Sequence, residues 1–399
     1  NWLNSPKLAD YLWFVPIYVF ALGSFNALKQ WNSRKRQFLR LSAAQVSSEV
    51  VTDGMTAGLG FAGLASSGSM IFSRIAGQVV ASLALAYLIL KEDGKFIFEN
   101  IRVKMMKTGF LKYKKFPMFN IWAAFLSNAT LYIPGLMLAS YFSPTEAGYY
   151  SLGNNVLRLP IALIASSIGH VFSQRSAKTF HEGRLAKTVE ETYKQLVIFG
   201  LFPMLVFTII GKELFILIFG AQWAEAGIYS QILSIWTFFV FLVSPLSNLT
   251  NVLGKNEISV LINVVKLITS IGAFMIGGRL GDARLALWLF SISGVITYAG
   301  YVLWATSASG VPLRKTISIF FSNVASSSPF LLAVLLFKVF NPVPEILLTK
   351  FNLPLQNIAL LLFSAAAGVG YYVAAFKRDS TLREATNEVI HKLRNRENR

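Results

Sequence analysis

The sequence predicts an all-α polytopic integral membrane protein, and three observations carry that prediction. Hydrophobic residues make up 54% of the 399 residues and charged residues only 14%, against about 25% charged in soluble domains. Long apolar stretches recur along the whole chain, and most Lys and Arg residues lie between them. The net charge of +18 therefore does not indicate nucleic-acid binding. The absence of cysteine excludes disulfide-stabilised secreted domains and thiolate chemistry.

Eleven stretches have the composition and the length, about 20 residues, that a membrane-spanning helix needs. The clearest are 196–218 and 355–376, which are apolar almost throughout. The second and third meet at a predicted tight turn near residue 64, where Gly63 and Gly68 flank two serines. The eleven predicted spans are 8–28, 41–63, 64–90, 114–140, 146–170, 196–218, 229–252, 256–277, 283–306, 318–340 and 355–376.

The distribution of basic residues predicts the topology. Alternate connections hold 28 of the 37 Lys and Arg residues, and the other connections hold 5. By the positive-inside rule the first set is cytoplasmic, so the C-terminus is predicted to be cytoplasmic. Because eleven is odd, residue 1 would lie outside, and we expect one or three further helices before it. Four cations lie inside predicted spans: Arg74, Arg158, Lys266 and Lys338.

Ionisable residues near the middle of the predicted spans indicate a functional lumen. A charge at the bilayer centre costs about 2.5–3.5 kcal/mol on insertion scales, so such residues face protein or water. Lys338 lies near the outer end of its predicted span, 318–340, where its long side chain can reach the membrane–water interface. If the remaining mid-span residues face one cavity, its net charge is positive and attracts a phosphate or pyrophosphate. The predicted lumen groups are Asp53, Arg74, Arg158 and Lys266, with Asn128, Asn154 and Asn155 as polar neighbours.

The acidic residues of the second span have two possible roles. Asp53, with Glu49 one turn before it, could be a structural counter-ion to Arg74 on the adjacent helix. Alternatively, these carboxylates could bind H⁺ or Na⁺ and couple an ion gradient to transport. A counter-ion role would not neutralise Arg158 and Lys266 as well. No metal or organic cofactor is predicted.

A weak internal repeat and a series of motifs resemble a known family. The turns at 142–151 and 219–230 have similar sequences about 77 residues apart, and repeated helical hairpins are typical of transporters. The first turn, with the sequence AGYYSL, is followed by Arg158-Leu159-Pro160; FGAQWAEAG and Pro245-Leu246-Ser247-Asn248-Leu249 come later. This order resembles the bacterial polysaccharide-biosynthesis flippases, such as the O-antigen translocases of the MOP (multidrug/oligosaccharidyl-lipid/polysaccharide) exporter superfamily. The resemblance is strongest over 113–255.

The resemblance implies two helical bundles related by a pseudo-two-fold axis, which alternate access to a central cavity. It implies that undecaprenyl-diphosphate-linked oligosaccharides cross the bacterial inner membrane toward the periplasm, and that Arg74, Arg158 and Lys266 receive the anionic head. The expected partners are the bilayer, this lipid-linked substrate and other polysaccharide-assembly proteins. The implied domains are a truncated N-terminal bundle (1–90), a basic cytoplasmic linker (91–113), a C-terminal bundle (114–306), an additional helix pair (307–376) and a basic tail (377–399).

Three alternatives remain, the first in the same broad class of exporters and the other two in different classes. A multidrug and toxin extrusion-type exporter usually handles cations, and acidic rather than basic lumen groups would then be expected. A membrane enzyme acting on lipid-linked sugars would need an outer loop rich in acid, base or metal ligands. The longest outer connection, 341–354, carries only Glu345 and Lys350, and the three histidines form no HExxH motif. A passive structural protein would not explain the mid-span charges.

Overall fold

The computed structural model describes residues 11–35, 37–100, 108, 115–160, 164–340 and 355–378. These residues form α-helices joined by short turns, and no strand occurs among them, so the predicted all-α class is confirmed. The chain divides into two compact units between residues 120 and 121. The domain boundaries given above stay predictions.

From residue 11 to residue 100, the described part of the first unit forms the helices α1 (Phe14–Arg34), α2 (Phe38–Phe61) and α3 (Ser67–Asn100), and α3 packs against both others. Gly63, with a φ of 76°, lies in the predicted turn between α2 and α3. Gly77 allows these helices to approach closely, because a Cβ atom there would lie 2.1 Å from the Thr52 hydroxyl.

Ionic contacts hold the basic end of the first unit together. Asp93 on α3 accepts a hydrogen bond from the Trp31 indole at 2.9 Å and pairs with Lys35, both near the end of α1. Glu92 pairs with Arg40 at the start of α2. The end of α3 is therefore tied to both of its neighbours. Beyond α3, residues 101–107 and 109–114 of the predicted linker lie outside the described residues, as does the predicted tail from 379.

The second unit is built around α7 and α8, which pack against each other along most of their length. A buried aromatic and aliphatic core joins them to α11. The described helices that follow α3 along the chain are labelled α4 (Lys115–Tyr141), α5 (Pro144–Pro160), α6 (Ser166–His181), α7 (Leu185–Phe219), α8 (Ala224–Leu246), α9 (Leu249–Val252), α10 (Asn256–Leu280), α11 (Ala283–Ala308), α12 (Leu313–Phe340) and α13 (Leu355–Arg378).

The two similar turns of the internal repeat pack side by side. The first joins α4 to α5 and the second joins α7 to α8, where Gly220 adopts a φ of 96°. Tyr149 lies edge-to-face with Trp223, at 5.9 Å between ring centroids, and with Tyr229, at 6.5 Å. The Tyr229 hydroxyl donates a hydrogen bond to the Glu146 carboxylate. The repeated sequence therefore forms a structural contact between two helical hairpins.

Among the described residues, seven helices are long and apolar enough to cross a membrane. The predicted total of eleven spans stays a prediction. For example, α2 is less apolar because Glu49, Asp53 and several Ser and Gly residues interrupt it, and α5 has 17 residues before the gap at 161–163. The seven helical segments are Ser67–Ile97, Leu185–Phe219, Ala221–Val252, Asn256–Leu280, Ala283–Ala308, Leu313–Phe340 and Gln356–Arg378.

Candidate substrate-binding site

In the first unit, Arg74 on α3 pairs with Glu49 on α2. The nearest nitrogen and oxygen are 3.8 Å apart, and both side chains are more than half exposed, at 61% and 54%. Asp53, one helical turn after Glu49, is exposed and makes no ion pair with any residue that the structure describes. Of the two carboxylates that the sequence offered as counter-ions, Glu49 is the one that pairs with Arg74.

Arg74 also lines a cleft between α3 and the residues around the start of α1. The cleft has a volume of about 440 Å³, and its walls are mainly apolar. Tyr11 and Tyr18 face it from one side, and Met70 and Ile71 from the other. One guanidinium group in an apolar cleft suits a ligand that combines an anionic group with a hydrocarbon chain.

In the second unit, Arg158 lies in the last turn of α5 and is half-buried. Its Nε donates a hydrogen bond to the side-chain oxygen of Asn154, one turn earlier, at 3.3 Å. No carboxylate among the described residues forms an ion pair with it. The phenols of Tyr150 and Tyr298 lie within electrostatic range of it. Asn154 therefore orients a guanidinium whose positive charge no carboxylate in the described part of the chain neutralises.

The other predicted amides lie apart from this hydrogen bond. Asn155 is the next residue on α5 and is exposed, so it points away from the half-buried side of the helix. Asn128 lies on α4 and is also exposed. Of the three predicted polar lumen residues, Asn154 is the one that the structure joins to a predicted cation.

Lys266 is enclosed by protein rather than exposed to an open cavity. It lies near the middle of α10, and only 1% of the residue is exposed. Its ammonium donates a hydrogen bond to the Phe290 carbonyl oxygen at 3.0 Å and lies 3.7 Å from the centre of the Phe290 ring. The Trp236 ring centre is 5.2 Å away. Within the described part of the chain, no carboxylate pairs with this cation.

A glycine makes room for this buried lysine. At Gly294 on α11, a Cβ atom would lie 2.3 Å from the Trp236 ring and 2.7 Å from the Lys266 nitrogen. The buried Trp236 indole N–H has no hydrogen-bond partner among the residues that the structure describes. These two donors and the glycine form a lysine pocket, defined by Lys266, Trp236, Phe290 and Gly294. Sequence reasoning missed its aromatic walls, since Phe290 and Gly294 lie among many other Phe and Gly residues in the apolar stretches and nothing in the sequence links them to Lys266.

Together, these groups can bind anions but offer no metal centre. No cluster of three or more His, Asp or Glu residues that could hold a metal occurs among the described residues. Arg158 and Arg74 have N–H groups arranged in a fork that matches phosphate oxygens. Arg74 belongs to the first unit and Arg158 to the second, and a cavity shared by them stays a prediction. Lys266 is enclosed in the second unit and lines no open cavity with Arg158 in this conformation.

A family model described as "Polysaccharide biosynthesis protein" matches residues 1–227, more than half of the chain. The chain belongs to this family. The matched part of this polysaccharide biosynthesis protein includes Arg74 and Arg158, whereas Lys266 lies beyond it. No curated protein matches the sequence.

Among solved structures, this family member is similar to "Lipid II flippase MurJ, inward closed conformation". The TM-score is 0.65 at 12% sequence identity, and the match covers 92% of this chain and 72% of that chain. At this identity the likeness is one of fold. With the seven apolar helices, it shows that the polysaccharide biosynthesis protein is a multi-pass membrane protein with a MurJ-like fold.

Proposed function

We propose that the protein is a flippase that moves undecaprenyl-diphosphate-linked oligosaccharides from the cytoplasmic to the periplasmic leaflet for polysaccharide or O-antigen biosynthesis. The observation that carries this proposal is the fold, which over 92% of the chain resembles a protein named as a lipid II flippase. Membership of the polysaccharide biosynthesis family supports a saccharide-bearing substrate. The excess of basic residues in alternate connections favours a cytoplasmic C-terminus in the inner membrane.

In this proposal Arg158 is the principal residue for the diphosphate. Its guanidinium is oriented by Asn154 and has no carboxylate partner among the described residues, so an incoming phosphate would supply the missing negative charge. Arg74 contributes a second cation beside an apolar cleft suited to a hydrocarbon chain. Lys266 could contribute only in a conformation in which α8, α10 and α11 separate, because its ammonium is enclosed here.

The test of the flippase function is reconstitution of the complete natural protein in liposomes that contain a fluorescent undecaprenyl-diphosphate oligosaccharide. We expect protein-dependent movement of the unaltered lipid between leaflets, measured by quenching from one side. Protein-dependent export of cationic dyes without lipid movement would contradict the proposal and favour a drug exporter. Chemical alteration of the lipid-linked sugar, detected by mass spectrometry, would favour an enzyme.

We further propose that Asp53 couples transport to a gradient of H⁺ or Na⁺. The basis is its position in the middle of α2 without an ion pair in the described residues, whereas Glu49 already contacts Arg74. A carboxylate not committed to a cation is free to take up an ion.

Asp53→Asn is therefore expected to remove the dependence of transport on the imposed gradient in the same liposomes. The matched control is Glu49→Gln, which makes the same chemical change one turn away and should leave the gradient dependence in place. If the Asp53→Asn protein still responds to the gradient as the wild type does, Asp53 is not the coupling residue.

A further inference from the structure

A small basic cavity lies between α7, α12 and α13, away from Arg158 and Lys266. Its volume is about 270 Å³. Two cations line it, Lys194 from α7 and Arg378 from the end of α13. The other lining residues are Ile198, Asn323, Ser326, Tyr371, Ala374 and Ala375.

Neutral groups hold Arg378 in place. Its two terminal nitrogens donate hydrogen bonds to the hydroxyl groups of Ser322 and Ser326 on α12. Each of these nitrogens carries a second hydrogen, and Nε carries one more, so the guanidinium can also donate to a ligand. Because its partners in α12 are uncharged hydroxyls, they orient the positive charge without neutralising it.

Both cations lie at the edge of the apolar part of their helices. Lys194 precedes the predicted span 196–218 by two residues, and Arg378 follows the predicted span 355–376 by two. At about 1.5 Å per residue, the 35-residue helix α7 is longer than the roughly 30 Å hydrocarbon core. The cavity therefore lies at the level expected for the membrane–water interface, where phospholipid phosphates are located.

We propose that this cavity binds the phosphate of an anionic phospholipid head group from the surrounding bilayer. Basic pockets between membrane helices on the cytoplasmic side are suited to such head groups. A bound phosphate would bridge Lys194 on α7 and Arg378 on α13, while the serines of α12 position the guanidinium. The lipid would thereby join three helices of the second unit. The proposal does not depend on what the protein transports.

The test is binding of phosphatidylglycerol to the full chain in a neutral detergent, measured by native mass spectrometry and by titration. A hydrogen bond between a lining cation and the phosphate changes the affinity about tenfold or more. We therefore expect Arg378→Gln to weaken binding about tenfold, and the Lys194→Gln/Arg378→Gln double variant to weaken it further. The matched control is Lys377→Gln. This variant also loses one positive charge, but Lys377 does not line the cavity, so the affinity for phosphatidylglycerol should be unchanged.

Two further arms use the unmodified protein and identify the ligand. Binding of phosphatidylglycerol should weaken as salt is added, whereas zwitterionic phosphatidylcholine should bind poorly at every salt concentration. Equal loss of binding in Lys377→Gln and Arg378→Gln, or equal binding of the two lipids, would overturn the proposal. Saturable binding of inorganic phosphate with the same affinity would overturn the assignment to a lipid.

Discussion

Replacing Arg158 with alanine is expected to reduce translocation of the lipid-linked oligosaccharide about 10- to 100-fold. The reason is that its guanidinium, held by Asn154 and unpaired with any described carboxylate, is the group available to the diphosphate. A hydrogen bond to a charged group is worth about 1.5–3 kcal/mol, which corresponds to that factor. The measurement is the leaflet-to-leaflet rate in liposomes, at equal amounts of reconstituted protein.

Two variants make the Arg158 result specific. Arg158→Lys keeps the charge but loses the fork of N–H groups. Its translocation rate should therefore lie between those of the wild type and Arg158→Ala. Arg175→Ala removes the same side chain from α6, where Arg175 is exposed and lies 4.0 Å from Glu191, and it should have little effect. A wild-type rate in the Arg158→Ala protein would remove Arg158 from the mechanism.

Replacing Lys266 with methionine is expected to leave the thermal stability unchanged or raise the melting temperature by about 2–4 °C, yet to reduce translocation at least about tenfold. A buried charge without an ionic partner destabilises the packed state, and an apolar side chain of similar length removes that penalty. We attribute the loss of transport to a conformation in which the ammonium meets the anionic substrate. Thermal unfolding in detergent and the liposome rate measure the two effects.

The lysine pocket supplies its own controls for the stability measurement. Gly294→Ala should lower the melting temperature, because the added Cβ would lie 2.3 Å from the Trp236 ring and overpacking of this kind costs about 1–3 kcal/mol. Gly300→Ala makes the same change on the same helix where nothing lies within 4 Å, so it should not be destabilising. If Lys266→Met transports normally, Lys266 has a structural role only.

The helical class and the positions of the two similar turns could be predicted because each depends on local composition. Apolar length identifies helices such as α7 and α12. The similar sequences identify two turns, but the contact between Tyr149 and Trp223 was not predicted, because sequence similarity does not say which turns are neighbours. The number of spans was harder to predict. Helices that carry polar residues, such as α2, do not reach the hydropathy of a typical span, although the sequence places them between clear boundaries.

The partners of the predicted site residues could not be predicted, because the sequence gives the depth of a residue in the membrane but not the direction of its side chain. Glu49 and Asp53 are four residues apart on one helix, yet only Glu49 contacts Arg74. Arg158 and Lys266 are predicted at similar depths, but one is half-buried beside an amide and the other is enclosed by aromatic rings. Those differences arise from helix rotation and from distant residues such as Gly294.

The enclosed position of Lys266 also has an electrical consequence. The α10 helix is predicted to span the membrane. The ammonium charge of Lys266, near the middle of this helix, would then lie within the potential difference between the two aqueous compartments. Moving one elementary charge through the whole potential changes the energy by about 2.3 kcal/mol per 100 mV. Any rearrangement that carries this ammonium toward either face would make the balance between the two conformations depend on membrane voltage, before any substrate or coupling ion is bound.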